Sequence, residues 1–310
     1  MKTKGLNRTL RTLVASLAMG GLVYGATVPQ KEGRILVAVA VTDIEPIVKA
    51  VGGSQVDTIS LFKGCLLRND LKVESTIQAR LAVSEAIVWT GFLNESAAIS
   101  SVLRTAGTAA RKGEELKWID VSKGTARTNL PTSTCGGYVD PAFAAGDPYF
   151  WLNPENGAII ARHIAKGLGE LRPASRGLFM ANADAFQQAL AKDIVRWKAA
   201  LKPLRGTRVF ITQSGWQNFS SMGGPDFVAY KGTPGELPSP QALLLHIKQM
   251  KADFIVVDPN TPVEYTEAFR EHSTLKVIVV PSSIESIQSA STYSALFDHL
   301  VKTLLGQAER

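Results

Sequence analysis

The stretch Ser175–Lys202, SRGLFMANADAFQQALAKDIVRWKAALK, decides the fold class of this chain. Its large apolar residues recur at steps of 7, 4, 4, 3 and 4, the spacing of one helical face: Phe179, Phe186, Leu190, Ile194, Trp197 and Leu201. As one helix this stretch would be about 42 Å long at about 1.5 Å per residue, which is enough to brace two domains. We interpret the aromatic stripe as core packing rather than as a cofactor site.

Alternating strand and helix patterns lie on both sides of this helix. Short apolar, β-branched runs such as Ile35–Val41 are typical of buried parallel strands. The predicted strands are 35–41, 56–61, 86–90 and 117–121 before the helix, and 208–212, 226–230, 252–257 and 276–280 after it. The predicted helices are 43–52, 74–83 and 93–106 before it, and 240–250, 262–272 and 285–305 after it.

Alternating βα units predict an α/β protein with parallel sheets covered on both faces. We expect two Rossmann-like domains, each a four-stranded parallel sheet with flanking helices, joined by one long helix. The expected boundaries are 34–172 for the N-terminal domain, 175–202 for the linking helix and 205–308 for the C-terminal domain. Because a single helix resists bending, we expect small domain motions rather than wide hinge closure.

The N-terminal segment has the pattern of a secretory signal peptide. A basic region without acidic residues precedes an apolar run over 13–23, with the cations Lys2, Lys4, Arg8 and Arg11. This run is shorter than the ~20 apolar residues that a membrane span needs. We predict cleavage of residues 1–25 and release into the periplasm. No cysteine follows the apolar run, so we do not expect a lipid anchor.

The net charge argues against a nucleic-acid-binding protein, and the motifs argue against an enzyme. The formal net charge is +7, and removal of the four signal-peptide cations leaves 30 basic against 27 acidic residues, or +3. This balance gives no basic patch for nucleic acid. Gln213-Ser214-Gly215-Trp216 lacks the spacing of a nucleophile elbow, and 222–225 lacks that of a dinucleotide loop. We therefore predict a binding protein and not an enzyme.

The octapeptide Asp147-Pro148-Tyr149-Phe150-Trp151-Leu152-Asn153-Pro154 carries the most specific motif, and its last two residues have the pattern of a helix start. It resembles the Asp-Pro-His-x-Trp-Leu-Asp-Pro signature of the zinc/manganese solute-binding proteins of ABC transporters. Further similar stretches follow in the same order over nearly all of the mature chain: 41–53, 84–91, 238–240 and 252–259. The resemblance implies the same two-domain fold with a rigid inter-domain helix.

The resemblance also implies a Zn²⁺ or Mn²⁺ site between the domains, formed by histidines and carboxylates. The corresponding positions here hold Asn69, Tyr149, Gln213 and Pro281. Zinc sites require nitrogen, thiolate or carboxylate donors, and tyrosine titrates near 10. A divalent metal is thus implied by the resemblance alone, and we expect no intact metal site.

We expect this altered cleft to bind its ligand through a neutral polar set with aromatic walls: Asn69, Tyr149, Gln213, Trp216 and Ser282. Replacement metal donors would have to come from Asp70, Asp147, Asp258 or the two cysteines. The histidines lie on predicted helices without a partner at helical spacing, and we interpret them as surface or helix-terminal residues: His163, His246, His272 and His299.

Cys65 and Cys135 would both lie near the inter-domain mouth of the implied fold. Paired cysteines in an oxidising compartment favour a disulfide, and we predict a Cys65–Cys135 bridge. Two free thiols and a thiolate pair that binds a soft metal remain alternatives.

Three functions remain open at this point. The first is a periplasmic solute-binding protein of a metal-type ABC transporter, which delivers a small solute or metal complex to a separate inner-membrane permease. The second keeps the fold but binds a metal chelate or a small polar organic ligand. The third is a non-transport binding or scaffolding protein with a vestigial cleft. In each case we expect a monomer that does not bind nucleic acid.

Overall fold

The computed structural model describes residues 33–62, 72–106, 115–128, 146–213, 215–230, 238–259, 261–281, 283–287 and 290–308. The predicted site or bridge residues Cys65, Asn69, Asp70, Cys135 and Ser282 lie outside these ranges. Inside them, the strands form two four-stranded sheets in which every pairing is parallel. This arrangement confirms the predicted fold class.

The strands agree closely with the predicted runs. The first sheet has the order β2-β1-β3-β4, with β1 (Ile35–Val41), β2 (Val56–Phe62), β3 (Ala86–Trp89) and β4 (Lys117–Asp120). The second sheet has the order β6-β5-β7-β8, with β5 (Arg208–Ile211), β6 (Asp226–Ala229), β7 (Phe254–Val257) and β8 (Lys276–Val279). All seven residues of the interior strand β1 are buried, because helices cover both of its faces.

The helices within the described residues alternate with these strands. In the N-terminal half they are α1 (Glu45–Gly52), α2 (Ser75–Ala82), α3 (Leu93–Ala106) and α4 (Glu155–Leu171). The long helix α5 (Arg176–Ala200) follows, and then α6 (Gly215–Phe219), α7 (Pro240–Gln249), α8 (Val263–His272) and α9 (Tyr293–Ala308). Over the described ranges, none of the helices combines the length and apolar character that a membrane span requires.

Most helix starts lie within two residues of the predicted ones, and the largest difference is in the last helix. The last helix begins at Tyr293 rather than at 285, because the Thr292 hydroxyl accepts a hydrogen bond from the N–H of Ala295 (3.1 Å) and caps it there. The helix after the octapeptide begins at Glu155, whose N–H donates to the Asn153 side chain (3.1 Å). The short helix α6 has no counterpart among the predicted helices.

The long helix α5 is attached to both halves of the molecule. Near its start, the Asn182 side-chain amide donates to the carbonyl oxygen of Val51 in α1 (2.9 Å). Near its end, the Trp197 indole N–H donates to Asp298 of α9 (2.7 Å), and its ring stacks on Phe297 with centroids 5.0 Å apart. One helix therefore braces both sheets.

Candidate functional site

The loops that follow the carboxyl ends of the strands in the two sheets contact each other through Asp43. This residue lies just beyond β1 and is 5% exposed. Its Oδ1 accepts hydrogen bonds from the Ser283 hydroxyl (3.1 Å) and from the N–H of Ile284 (2.7 Å), both beyond β8. Its Oδ2 accepts one from the Trp151 indole N–H (3.1 Å). A single carboxyl group thus joins both domains to the octapeptide.

Burial determines the electrostatics of this contact. It raises the pKa of Asp43 from 3.8 to about 6, although the hydrogen bonds from Ile284, Ser283 and Trp151 oppose the shift. The nearby Glu285 adds to the rise in pKa. Asp43 therefore changes charge in the mildly acidic range.

The octapeptide winds into a compact turn at the junction of the domains. The Asp147 side chain accepts a hydrogen bond from the N–H of Tyr149 (2.8 Å), and a 3-10 turn covers Phe150–Leu152. Asn156 of α4 donates to the carbonyl oxygens of Phe150 (2.8 Å) and Ala126 (2.7 Å). These bonds hold the octapeptide and the segment 125–128 against one another.

Tyr149 of the octapeptide is only 4% exposed. Its ring makes an edge contact with Trp151, with centroids 5.4 Å apart. Its Cβ lies against Gly215, the first residue of α6, where an added Cβ would be 3.0 Å from Tyr149 and 2.7 Å from Leu152. Glycine is therefore needed at 215 to let α6 approach the octapeptide.

Of the other predicted ligand-binding residues, Gln213 follows β5 and is 6% exposed. Trp216 is 1% exposed, and its ring packs on Phe219 (5.7 Å) and Phe227 (5.5 Å) in the interior of the C-terminal half. Trp216 thus packs as part of an aromatic cluster next to the Tyr149–Gly215 contact.

The candidate replacement metal donors do not assemble within the described part of the chain. There, no three His, Cys, Asp or Glu side chains lie close enough together to hold a metal ion. Asp147 is fully buried beside Tyr149. Asp258 lies in a turn after β7, where its main-chain N–H donates to the Thr261 hydroxyl (3.1 Å).

The four histidines lie on helices, as predicted. His163 is on α4, with Nε2 2.9 Å from the carbonyl oxygen of Lys123, and the rings of His246 on α7 and Tyr230 meet edge to face. His272 and His299 lie on α8 and α9. Burial lowers the pKa of His299, and Lys302 adds to this effect.

A cluster of buried charged residues at the carboxyl ends of β3 and β4 was not predicted from the sequence. Glu95 is 1% exposed and accepts hydrogen bonds from the N–H (3.0 Å) and hydroxyl (2.6 Å) of Thr90. Burial raises its pKa to about 7, and Asp120 adds to the rise, while the Thr90 hydrogen bonds and Arg127 oppose it. The five-residue separation of Thr90 and Glu95 does not match the three-residue spacing of a capping box, so no familiar motif indicated the pair.

The guanidinium group of Arg127 lies between two aromatic rings in this cluster. Its carbon is 5.1 Å from the centroid of Phe92 and 4.7 Å from that of Phe150. Burial lowers the pKa of Arg127, while the charges of Asp120, Asp147 and Glu95 oppose the shift. Arg127 belongs to a segment without hydrophobic periodicity, so its position could not be predicted from pattern.

The segment that carries Arg127 also contacts α6. The N–H of Thr128 donates to Asn218 Oδ1 (3.3 Å). The Thr128 hydroxyl, the Asn218 amide nitrogen and the Trp216 indole nitrogen are buried and have no hydrogen-bond partner among the described residues.

Comparison with known proteins agrees with this architecture. A family model described as "Zinc-uptake complex component A periplasmic" (ZnuA) matches residues 37–306. The high-affinity zinc uptake system protein ZnuA of Brucella abortus (strain 2308) is 35% identical over 78 residues, which are 25% of this chain and 23% of that protein. The ZnuA protein of Brucella suis biovar 1 matches to the same extent. The chain thus aligns with about a quarter of the length of these curated relatives.

Three solved structures share the fold over nearly their whole length. A crystal structure of ZnuA aligns with a TM-score of 0.70 at 20% identity, covering 88% of this chain and 99% of that one. The laminin-binding adhesin Lmb of Streptococcus agalactiae aligns with a TM-score of 0.66 at 17% identity, covering 87% and 98%. FpvC of Pseudomonas aeruginosa, solved in complex with Mn²⁺, aligns with a TM-score of 0.66 at 15% identity, covering 89% and 98%. The family match extends through both sheets and the helix between them, and on this basis the chain belongs to the zinc-uptake complex component A family of periplasmic proteins.

Proposed function

We propose that this protein is a periplasmic solute-binding protein of a metal-type ABC transporter, with a divergent inter-domain cleft. The family match over residues 37–306 carries the proposal, because it spans both sheets that contribute loops to the Asp43 contact. In this role the protein binds its solute between the domains and delivers it to a permease formed by separate polypeptides. It is exported with a cleaved signal peptide, acts as a monomer and binds rather than converts its ligand.

The proposed ligand site comprises Asn69, Tyr149, Gln213, Trp216 and Ser282. The site positions that correspond to metal ligands are Asn69, Tyr149, Gln213 and Pro281, which supply no imidazole, thiolate or carboxylate. A bare dication that entered there would lose its water without gaining the donors that a zinc site needs. We therefore expect weak binding of Zn²⁺ and Mn²⁺ at these positions.

The side chains at these positions favour a ligand that brings its own polar atoms. Asn69, Tyr149 and Gln213 can donate and accept hydrogen bonds but carry no formal charge near neutral pH. A metal chelate or a small polar organic molecule suits such groups better than a bare dication does.

Calorimetry on chelator-treated protein tests the proposal with four probes: Zn²⁺, Mn²⁺, citrate and the Zn²⁺–citrate complex. We expect citrate or its Zn²⁺ complex to bind. For Zn²⁺ alone we expect a dissociation constant above about 1 μM. Zn²⁺ binding tighter than this that Tyr149→Phe and Gln213→Ala abolish would refute the divergent site. Tight binding lost only in Cys65→Ser or Cys135→Ser would identify a thiolate site instead.

The variant Gln213→Leu gives a sharper test of the polar site. It removes the amide group at nearly constant volume, so citrate affinity should fall. Gln249→Leu, at the exposed end of α7, is the matched control and should leave citrate binding unchanged. If no probe binds at all, the third function, a scaffolding protein with a vestigial cleft, gains support.

A further inference from the structure

A polar groove of about 330 Å³ opens at the amino-terminal ends of β1 and β2. Asp43 and the candidate ligand site follow the carboxyl ends of the strands. The groove therefore lies toward the opposite ends of the strands in the first sheet. The groove is lined by five charged residues: Arg34, Glu45, Lys49, Asp57 and Arg80. Three of them are basic and two are acidic, which leaves a net charge of +1.

Both acidic residues of the groove already have partners. Asp57 forms an ion pair with Arg34 (3.2 Å). Glu45 pairs with Lys49 (2.7 Å) and accepts hydrogen bonds from the hydroxyls of Thr58 (2.5 Å) and Ser60 (2.7 Å). Burial acts to raise the pKa of Glu45, but these hydrogen bonds outweigh it and hold that pKa below its ordinary value. Glu45 is therefore ionised and its acceptors are occupied at neutral pH.

Arg80 supplies the uncompensated positive charge. It lies in the last turn of α2 and is half-buried. Among the described residues, its guanidinium group has no carboxylate ion-pair partner, and its buried Nε has no hydrogen-bond partner. A guanidinium group presents a fixed fork of donors that matches two oxygens of one anion.

We propose that this groove binds a small tetrahedral oxyanion such as phosphate or sulfate, with Arg80 as its principal contact. The anion would balance the net charge of the groove and would accept hydrogen bonds from the terminal guanidinium nitrogens of Arg80. The surplus positive charge of the groove would favour its approach. This site is separate from the inter-domain ligand site and does not depend on the transport function.

A purely structural role for Arg80 makes a different prediction. A cation in the last turn of a helix is stabilised by the helix dipole without any ligand. Arg104 occupies the same position in α3 and is exposed, so it has the dipole but not the groove. Arg104→Gln is therefore the matched control for Arg80→Gln.

The test is a titration of the purified protein with inorganic phosphate and sulfate at low ionic strength, because salt screens exposed charges. We expect saturable 1:1 binding, which Arg80→Gln weakens at least about tenfold, as for loss of one hydrogen bond to a charged group. Arg80→Lys, which keeps the charge but not the fork, should bind with intermediate affinity, and Arg104→Gln should bind like the wild type.

Two results would overturn the proposal. The first is no saturable binding of either anion by the wild-type protein. The second is an equal loss of affinity in Arg80→Gln and Arg104→Gln, which would show attraction by net charge rather than by a site. Thermal unfolding of each variant without added anion verifies that the substituted proteins are folded.

Discussion

The carboxylate of Asp43 accepts a hydrogen bond from the main-chain N–H of Ile284 at 2.7 Å, across 241 positions of sequence. The contact joins the end of β1 to the loop beyond β8, so one buried acid links the two halves of the protein. Its protonation links the stability of that junction to pH.

We predict that Asp43 makes the folded protein more stable as the pH falls from 7.5 to 5. Its pKa is raised from 3.8 to about 6, so the folded state takes up a proton more readily than the unfolded state. The resulting stability is fully present below pH 3.8 and is lost as the pH rises through 6. The full effect is about 3 kcal/mol, of which about 1 kcal/mol falls between pH 7.5 and 5.

Urea unfolding of the wild type and Asp43→Asn at several pH values measures this effect. Glu95 titrates in both proteins, so only the difference between them reports Asp43. As the pH falls, the free energy of unfolding of the wild type should rise relative to that of the variant. Parallel pH profiles would contradict the prediction.

Replacement of Gly215 by alanine should destabilise the protein by about 1–3 kcal/mol, the usual cost of overpacking. The added methyl group would lie 2.7 Å from Leu152 and 3.0 Å from Tyr149, so α6 or the octapeptide must move. Gly177→Ala is the control, because nothing lies within 4 Å of that Cβ position and the residue is helical. There alanine should stabilise slightly; equal effects of the two substitutions in thermal unfolding would be evidence against the close approach.

Trp197→Phe should lower the free energy of unfolding by about 1–2 kcal/mol through loss of the hydrogen bond to Asp298. The phenyl ring can still stack on Phe297, so most of the apolar contact is kept. In a double-mutant cycle, Asp298→Ala should cost much less in the Trp197→Phe background than in the wild type. Additive losses would show that the 2.7 Å contact contributes little.

The predicted Cys65–Cys135 disulfide lies outside the described residues and remains a prediction. A bridge that closes a loop of about 70 residues would stabilise the protein by about 4 kcal/mol in the chain-entropy treatment. Thiol titration of the unreduced, denatured protein should detect no free cysteine, and reduction should lower the melting temperature. Two titratable thiols before reduction would rule out the bridge.

The fold was predictable because its signals are local. The buried run Ile35–Val41 matches β1 residue for residue, and the apolar stripe of α5 is continuous in sequence. The start of α9 was not predictable from hydrophobic spacing, because the side chain of Thr292 sets it. Apolar periodicity alone did not resolve this cap.

The candidate site was predictable only in part. The octapeptide pointed to the family and to Tyr149, because both depend on consecutive residues. The Asp43–Ile284 contact and the position of Arg127 between Phe92 and Phe150 depend on residues that are distant in sequence. Only the folded chain brings them together, and no spacing rule relates them.

The attachment of α5 at Asn182 and Trp197 also fixes the angle between the two sheets around the axis of this helix. Each residue of an α-helix advances the chain by about 1.5 Å and turns it by about 100°. Removal of one residue between these two anchors would therefore rotate the second sheet by about 100° around the helix axis. The loop that carries Ile284 would then miss Asp43 altogether. Surface substitutions in this helix leave that angle unchanged. The arrangement of the two domains therefore depends more on the length of the helix than on its outward-facing residues.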